Sequence, residues 1–185
     1  MLFRNYFRSQ KMSDLTVVEF QRQLADRLYI EMLITKYAKA RDTTEPNLYK
    51  EVFDESAKIK FPNGKVMAEN LNVILGKVET DKERFNEHFS EETETYSKVR
   101  HVVSNISINV AGNFATSTYY VLTYGFNSNL SKPELASVAR NVDEYEKKSD
   151  IWFIVSSTLH YDWGNDEMAK LLEFGPYTPA KYRNK

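Results

Sequence analysis

The chain contains 3 histidines, and one of them, His101, heads a strand-like run, SKVRHVVSNISINV. An unperturbed imidazole titrates near 6.5, which makes it the side chain best suited to take up a proton at neutral pH. A carboxylate on its other ring nitrogen would fix the tautomer and stabilise the imidazolium. Asp42, which closes the helical run YAKARD, is a carboxylate in want of a partner. The helix dipole disfavours a negative charge there, so Asp42 needs a cationic or hydrogen-bonding neighbour, and His101 or Arg41 could be that neighbour. Each residue also has a plain reading. A histidine at a strand start can face solvent or bond to backbone, and Asp-Thr-Thr after a helix is ordinary loop chemistry.

The other two histidines are weaker candidates. Strict alternation from Trp152 puts Ile154, Ser156, Thr158, His160 and Asp162 on one face and Phe153, Val155, Leu159, Tyr161 and Trp163 on the other. His160 is then expected at solvent or a subunit interface. His88 lies in the charged run NEHFSEE and reads as a surface residue. Without HxH or HxxxH spacing no metal site is expected.

These side chains must be positioned by a single domain. The chain has 185 residues, with 25 Lys+Arg against 26 Asp+Glu and no cysteine. That balance gives no basic field for nucleic acid or an anionic membrane. The lack of cysteine excludes disulfides, thiolate nucleophiles and Cys-ligated metals, and makes a reducing, cytoplasmic location the default. The opening MLFRNYFRSQKM shows neither a signal-peptide core nor a membrane span. It reads as a disordered extension over 1–13, contributing little to stability, before a domain over 14–175 and a polar tail over 176–185.

A helical period, free of Gly and Pro, runs from Thr16 to about Arg41, with Ile30, Leu33, Ile34, Tyr37 and Ala38 on its apolar stripe. NLYKEVF reads as a second short helix. AKIKFP and KVMA read as strands joined by a turn at Asn63-Gly64. A third helical region begins at Glu69, with Leu71, Ile74, Leu75 and Val78 as its stripe. Four strands then follow, Val99 to Val110, Phe114 to Phe126, Ser137 to Lys147 and Ile151 to Trp163, with turn residues between them. DEMAKLLEF reads as a C-terminal helix. Helices followed by a strongly curved antiparallel meander predict an α+β architecture with helices on one face.

The runs RLYIEMLITKYAKARD, LYKEVFDESAKIKFPNGKV, RHVVSNISINVAGNFATSTYYV and NVDEYEKKSDIWFIVSSTLHYDW resemble, in order and pattern, the SnoaL-like branch of the nuclear transport factor 2-like superfamily. The resemblance covers roughly Leu24 to Trp163. It implies a cystatin-like, cone-shaped barrel: a curved, mostly antiparallel sheet wrapped around the N-terminal helices, enclosing one apolar pocket. Scytalone dehydratase and hexachlorocyclohexane dehydrochlorinase in that superfamily remove a proton with an Asp–His dyad, and Asp42 and His101 stand at the matching places. SnoaL-type polyketide cyclases also use a pocket Asp. Two departures matter. Scytalone dehydratase has tyrosine where this chain has Arg41, and the dehydrochlorinase has arginine near the position of Ser157, so dehydrochlorination is not expected.

What the resemblance implies for function is a cofactor-independent lyase or isomerase acting on a small, hydrophobic or aromatic, oxygenated molecule. His101 and Asp42 are the expected catalytic pair. Tyr37, Phe61, Tyr120, Tyr124 and Asn141 are the expected substrate-binding residues, since tyrosine supplies an apolar wall and a hydroxyl together. Tyr120, Leu122, Tyr124 and Phe126 share one strand face with Thr118, and Asp143 and Tyr145 join Asn141 as alternative polar lining. No cofactor, nucleic acid or membrane partner is expected. A homodimer is, through the face bearing Phe153, Val155, Leu159 and Tyr161. The alternatives are a non-catalytic ligand-binding protein or a partner resembling the β subunit of ring-hydroxylating dioxygenases.

Overall fold

Helix α1 (Val17–Thr43) begins at a capping box, in which the Thr16 side chain accepts from the Glu19 N–H and the Glu19 carboxylate accepts from the Thr16 N–H. Such a box satisfies two otherwise orphaned donors. The helix stops where Thr44 turns left-handed at φ 49°. Pro46 then starts α2 (Pro46–Val52), with its fixed φ suited to a first helical turn. The computed structural model describes residues 16–88, 99–127 and 132–164. The N-terminal extension, the polar tail and the C-terminal helix expected at DEMAKLLEF lie outside these.

The remaining elements are β1 (Phe53–Lys60), β2 (Val66–Ala68), α3 (Leu71–His88), β3 (Arg100–Ala111), β4 (Phe114–Asn127), β5 (Lys132–Lys148) and β6 (Ile151–Gly164). They form one sheet of order β2-β1-β6-β5-β4-β3. The meander β3 to β6 is antiparallel throughout, as its turn residues predict. Gly112 at φ 63° turns β3 into β4, and Ser149 and Asp150, at φ 49° and 65°, turn β5 into β6. Left-handed residues in two-residue loops match the strand twist. One pairing escapes a meander reading: β1 lies parallel to β6. The sheet is mixed and open, with β2 and β3 as its edges, so the helices are cradled by an unclosed cone and not ringed by a barrel.

The core lies between the sheet and α1, α2 and α3, around Ile30, Ile34, Val52, Phe53, Trp152 and Ile154. Full burial of each aliphatic side chain here contributes about 1.5–3 kcal/mol relative to exposure. Tyr37 meets Phe53 edge-on with centroids 4.9 Å apart. A polar clamp fixes α1 along the sheet: Asp26 Oδ1 accepts from Lys147 Nζ and from Trp152 Nε1, each at 2.9 Å.

Two register breaks redirect whole runs of side chains. In β3, Ser104 pairs with Tyr120 but Ser107 with Thr118, and the bulge holds Asn105 at φ 52°. Asparagine is among the few residues that adopt this conformation at low cost. Below the bulge Ile106, Ile108 and Val110 face the core. Above it the inward set is Val103 and His101. In β6, Glu144 pairs with Ser156 but Tyr145 with Ile154, which leaves Val155 as the extra residue. Trp152 and Ile154 point inward before it, Ser157 and Leu159 after it. The uniform two-face alternation expected from Trp152 to Trp163 is therefore corrected. Leu159 and Tyr161 pack with the core and cannot share an outer contact face with Phe153 and Val155.

Candidate functional site

The last turns of α1 lie against the inner faces of β3, β4 and β5, and a narrow cleft remains between them. Ile34, Val103 and Val121 form its apolar wall, and Tyr37, Arg41, His101, Tyr119 and Asn141 bring polar atoms to it. It holds about 180 Å³ of space between atoms, mouth included.

The end of α1 and the start of β3 are joined by one carboxylate. Asp42 Oδ1 lies 2.7 Å from His101 Nδ1 and accepts the His101 backbone N–H at 2.9 Å. An ionised carboxylate can only accept, so Nδ1 carries the hydrogen and Nε2 is left with its lone pair on the cleft side. The two bonds also answer the position of Asp42 at a helix C-terminus, where it has no favourable local charge. Burial, and then the positive charge of Arg41, push His101 down from 6.5 to about 4, outweighing the hydrogen bond and charge of Asp42. The resting imidazole is neutral.

Behind the cleft lies a second, fully buried carboxylate, Asp143. Its Oδ2 accepts from Tyr119 at 2.6 Å and from Tyr145 at 3.4 Å, and its Oδ1 accepts from Ser157 at 2.6 Å. Burial raises Asp143 from 3.8 to about 6 despite these bonds. With the Tyr119 hydrogen committed to Asp143, the Tyr119 oxygen can only accept, and Asn141 Nδ2 donates to it at 3.2 Å. This ordering fixes the amide and leaves Asn141 Oδ1 buried without a partner among the described residues.

The expected site residues divide. His101, Tyr37 and Asn141 line the cleft, and Asp42 holds His101 from behind. Asp143 and Tyr145 share the inner face with Asn141. Tyr120 and Tyr124 do not reach the cleft: each is 38% exposed, on the outer face of β4. Small residues at Ala115 and Ser117 put the odd-numbered face against the helices, so Tyr119 and Val121 line the cleft instead. Phe61 is buried just beyond β1, apart from the cleft wall. Arg41 is a lining residue that sequence reasoning treated only as a partner for Asp42. His160 lies beside Arg140, at 3.3 Å, across the β5–β6 ladder, and the side chain of His88 is outside the described set. Among the described residues no group of three or more His, Cys, Asp or Glu could hold a metal ion. No described helix is long and apolar enough to cross a membrane.

No curated protein matches the chain. Among solved structures, a protein of the nuclear transport factor 2-like type with a cystatin-like fold from Novosphingobium aromaticivorans superposes with a TM-score of 0.66 at 19% identity, covering 89% of this chain and 100% of its own. A proposed scytalone dehydratase from the same organism gives a TM-score of 0.62 at 17% identity, covering 80% and 91%. The hexachlorocyclohexane dehydrochlorinase LinA-type3 from Novosphingobium barchaimii gives 0.62 at 14%, covering 79% and 92%. At these identities the likeness establishes the fold and not the reaction. The family model of the SnoaL-like domain matches residues 22–158, and by that match the chain belongs to the SnoaL-like family.

Proposed function

We propose that the cleft binds a small oxygenated molecule and removes a proton from it without a cofactor, with His101 Nε2 as the base and Asp42 as the residue that orients it. The observation that carries this reading is the 2.7 Å contact between Asp42 and His101 Nδ1, which leaves the other ring nitrogen at an apolar cleft. In a dehydration, Nε2 takes a proton from a carbon beside a carbonyl. The electron pair left behind forms the new double bond as hydroxide departs from the next carbon, and the proton on Nε2 returns to it as water. In an isomerisation the proton returns to another carbon. The cleft is narrow, which favours a small molecule over a multi-ring polyketide.

Incubation in D2O with a panel of small cyclic hydroxy ketones and hydroxy acids, followed by NMR, tests the reading. Deuterium should replace an acidic C–H, or water should be lost, with the wild type and not with His101→Ala. Equal reaction by both proteins would sink it. The low basicity of the unliganded His101 favours a second reading, ligand binding without turnover. Saturable binding with no exchange in the same panel would select it.

We further propose that a second copy covers the outer sheet face in a reducing, cytoplasmic setting. Val102, Leu122, Val138 and Trp163 are cross-strand neighbours on that face, and Val102 and Trp163 are 48% and 41% exposed. Tyr120 and Tyr124 extend the same apolar patch, which is of the kind that marks an interaction surface. Sedimentation at micromolar concentration should give about twice the 21.6 kDa chain mass. A monomer at every concentration would refute the dimer.

A further inference from the structure

Arg41 brings a guanidinium to the cleft, and no described carboxylate pairs with it there. Among the described residues it makes no hydrogen bond and no ion pair; the Tyr37 ring lies 5.8 Å from it to the centroid, and Tyr161, Tyr49 and Tyr119 also favour its charge. Neither nearby carboxylate forms an ion pair with it. Asp42 gives Oδ1 to His101, and both oxygens of Asp143 accept from Tyr119, Tyr145 and Ser157. A guanidinium cannot shed its charge and presents five donors in a planar fork. Removing such a group from water without an acceptor is costly, and the fork's best complement is a carboxylate, which it holds by two parallel hydrogen bonds.

A second polar atom on the same wall is open. Asn141, 1% exposed, has its Oδ1 unpartnered, and the proton order from Asp143 through Tyr119 keeps that oxygen an acceptor. The cleft therefore offers a fixed cation, a neutral acceptor and a neutral imidazole, between apolar side chains.

We propose that Arg41 anchors a carboxylate, so that the molecule this cleft takes is a small organic acid, with a hydroxyl directed to Asn141. The inference rests on the cleft being a small-molecule site, and it is independent of whether His101 removes a proton. A bound carboxylate would also neutralise the charge that, with burial, holds the His101 proton off. Binding and basicity would then rise together.

Benzoate and benzamide test this, because the two are nearly the same size and differ in charge. Calorimetric titration of the wild type should show benzoate binding about tenfold or more tighter than benzamide. Arg41→Met should erase that preference without lowering the thermal midpoint of the unliganded protein, since a half-buried charge with no carboxylate partner has been removed. Arg41→Lys should keep the preference with several-fold weaker binding, because lysine is a point charge without the planar fork. His101→Gln should retain it.

Equal binding of the two probes by the wild type would overturn the anchor. So would undetectable benzoate binding at about 10 mM, or a preference that survives Arg41→Met. The wild-type comparison stands even if a variant fails to fold. If His101→Ala leaves turnover untouched while the benzoate preference persists, the base assignment falls and the acid anchor stands.

Discussion

Replacing His101 by alanine should leave a folded protein that has lost roughly two to four orders of magnitude in proton-abstraction rate, the usual contribution of a positioned general base. The side chain is close to the core but not part of it, so circular dichroism and the thermal transition should stay near those of the wild type. Asp42→Asn should lose a comparable amount for a different reason. An amide oxygen in the place of Oδ1 can still accept both His101 N–H groups, but a neutral residue 42 no longer stabilises the imidazolium that forms when Nε2 takes up a proton. The two residues act through one nitrogen, so the double variant should be little slower than either single one. Losses that multiply would show that Asp42 and His101 work separately. Full activity in His101→Ala would return His101 to an ordinary strand residue.

The pH dependence of stability should carry two opposed contributions, and the same histidine separates them. His101 is held at about 4 in the fold against 6.5 when unperturbed, so between these values the unfolded chain binds more protons. Its contribution is fully present above 6.5 and is lost as the pH falls through about 4. Asp143 has the opposite sign. Raised from 3.8 to about 6, it binds more protons when folded, so its contribution is fully present below 3.8 and is lost as the pH rises through about 6.

In the wild type the two slopes oppose one another across this window. His101→Gln should remove only the first. Urea midpoints converted to free energies should then show the wild type losing its advantage over His101→Gln by about 3 kcal/mol from pH 7 to pH 4. Parallel stability curves over that range would mean that His101 titrates normally in the fold.

Much of the fold follows from features that short stretches of sequence display. The Gly-free period before Arg41 is α1, Asn63-Gly64 is the β1–β2 turn, and the Gly112 and Ser149-Asp150 turns set the meander. The pair at the site was also reachable, because a helix C-terminus leaves Asp42 without local support and His101 heads the strand opposite. What did not follow came from one-residue insertions in the ladders. Strands alternate with a strict period of two, so a single extra residue exchanges the faces of everything beyond it. Counting back from Ile106, Ile108 and Val110 sends His101 to the outer face, and only the bulge at Asn105 brings it inward. The asparagine in SNIS was the available signal. Val155 gave no comparable signal, since nothing in its type marks a bulge, and β6 was misread there. On β4 the error was one of emphasis: the large Tyr120 and Tyr124 drew attention to a face that Ala115 and Ser117 exclude from the interior. The openness of Arg41 could not be read at all, because it depends on Asp42 turning to His101 and on Asp143 being held by Tyr119, Tyr145 and Ser157.

The lone parallel pairing also bears on how the chain emerges from the ribosome. Phe53 of β1 is matched to Ile154 of β6, so β1 must wait for a neighbour synthesised roughly 100 residues later, on the order of 5–20 s at ordinary elongation rates. During that interval α1, α2 and the β1–β2 hairpin are present with Ile30, Ile34, Val52 and Phe53 uncovered. The meander, whose strands pair with sequence neighbours, can assemble as it is made. The apolar side of residues 16–70 is therefore the part of the nascent protein that stays uncovered longest, until Trp152 and Ile154 arrive to cover it.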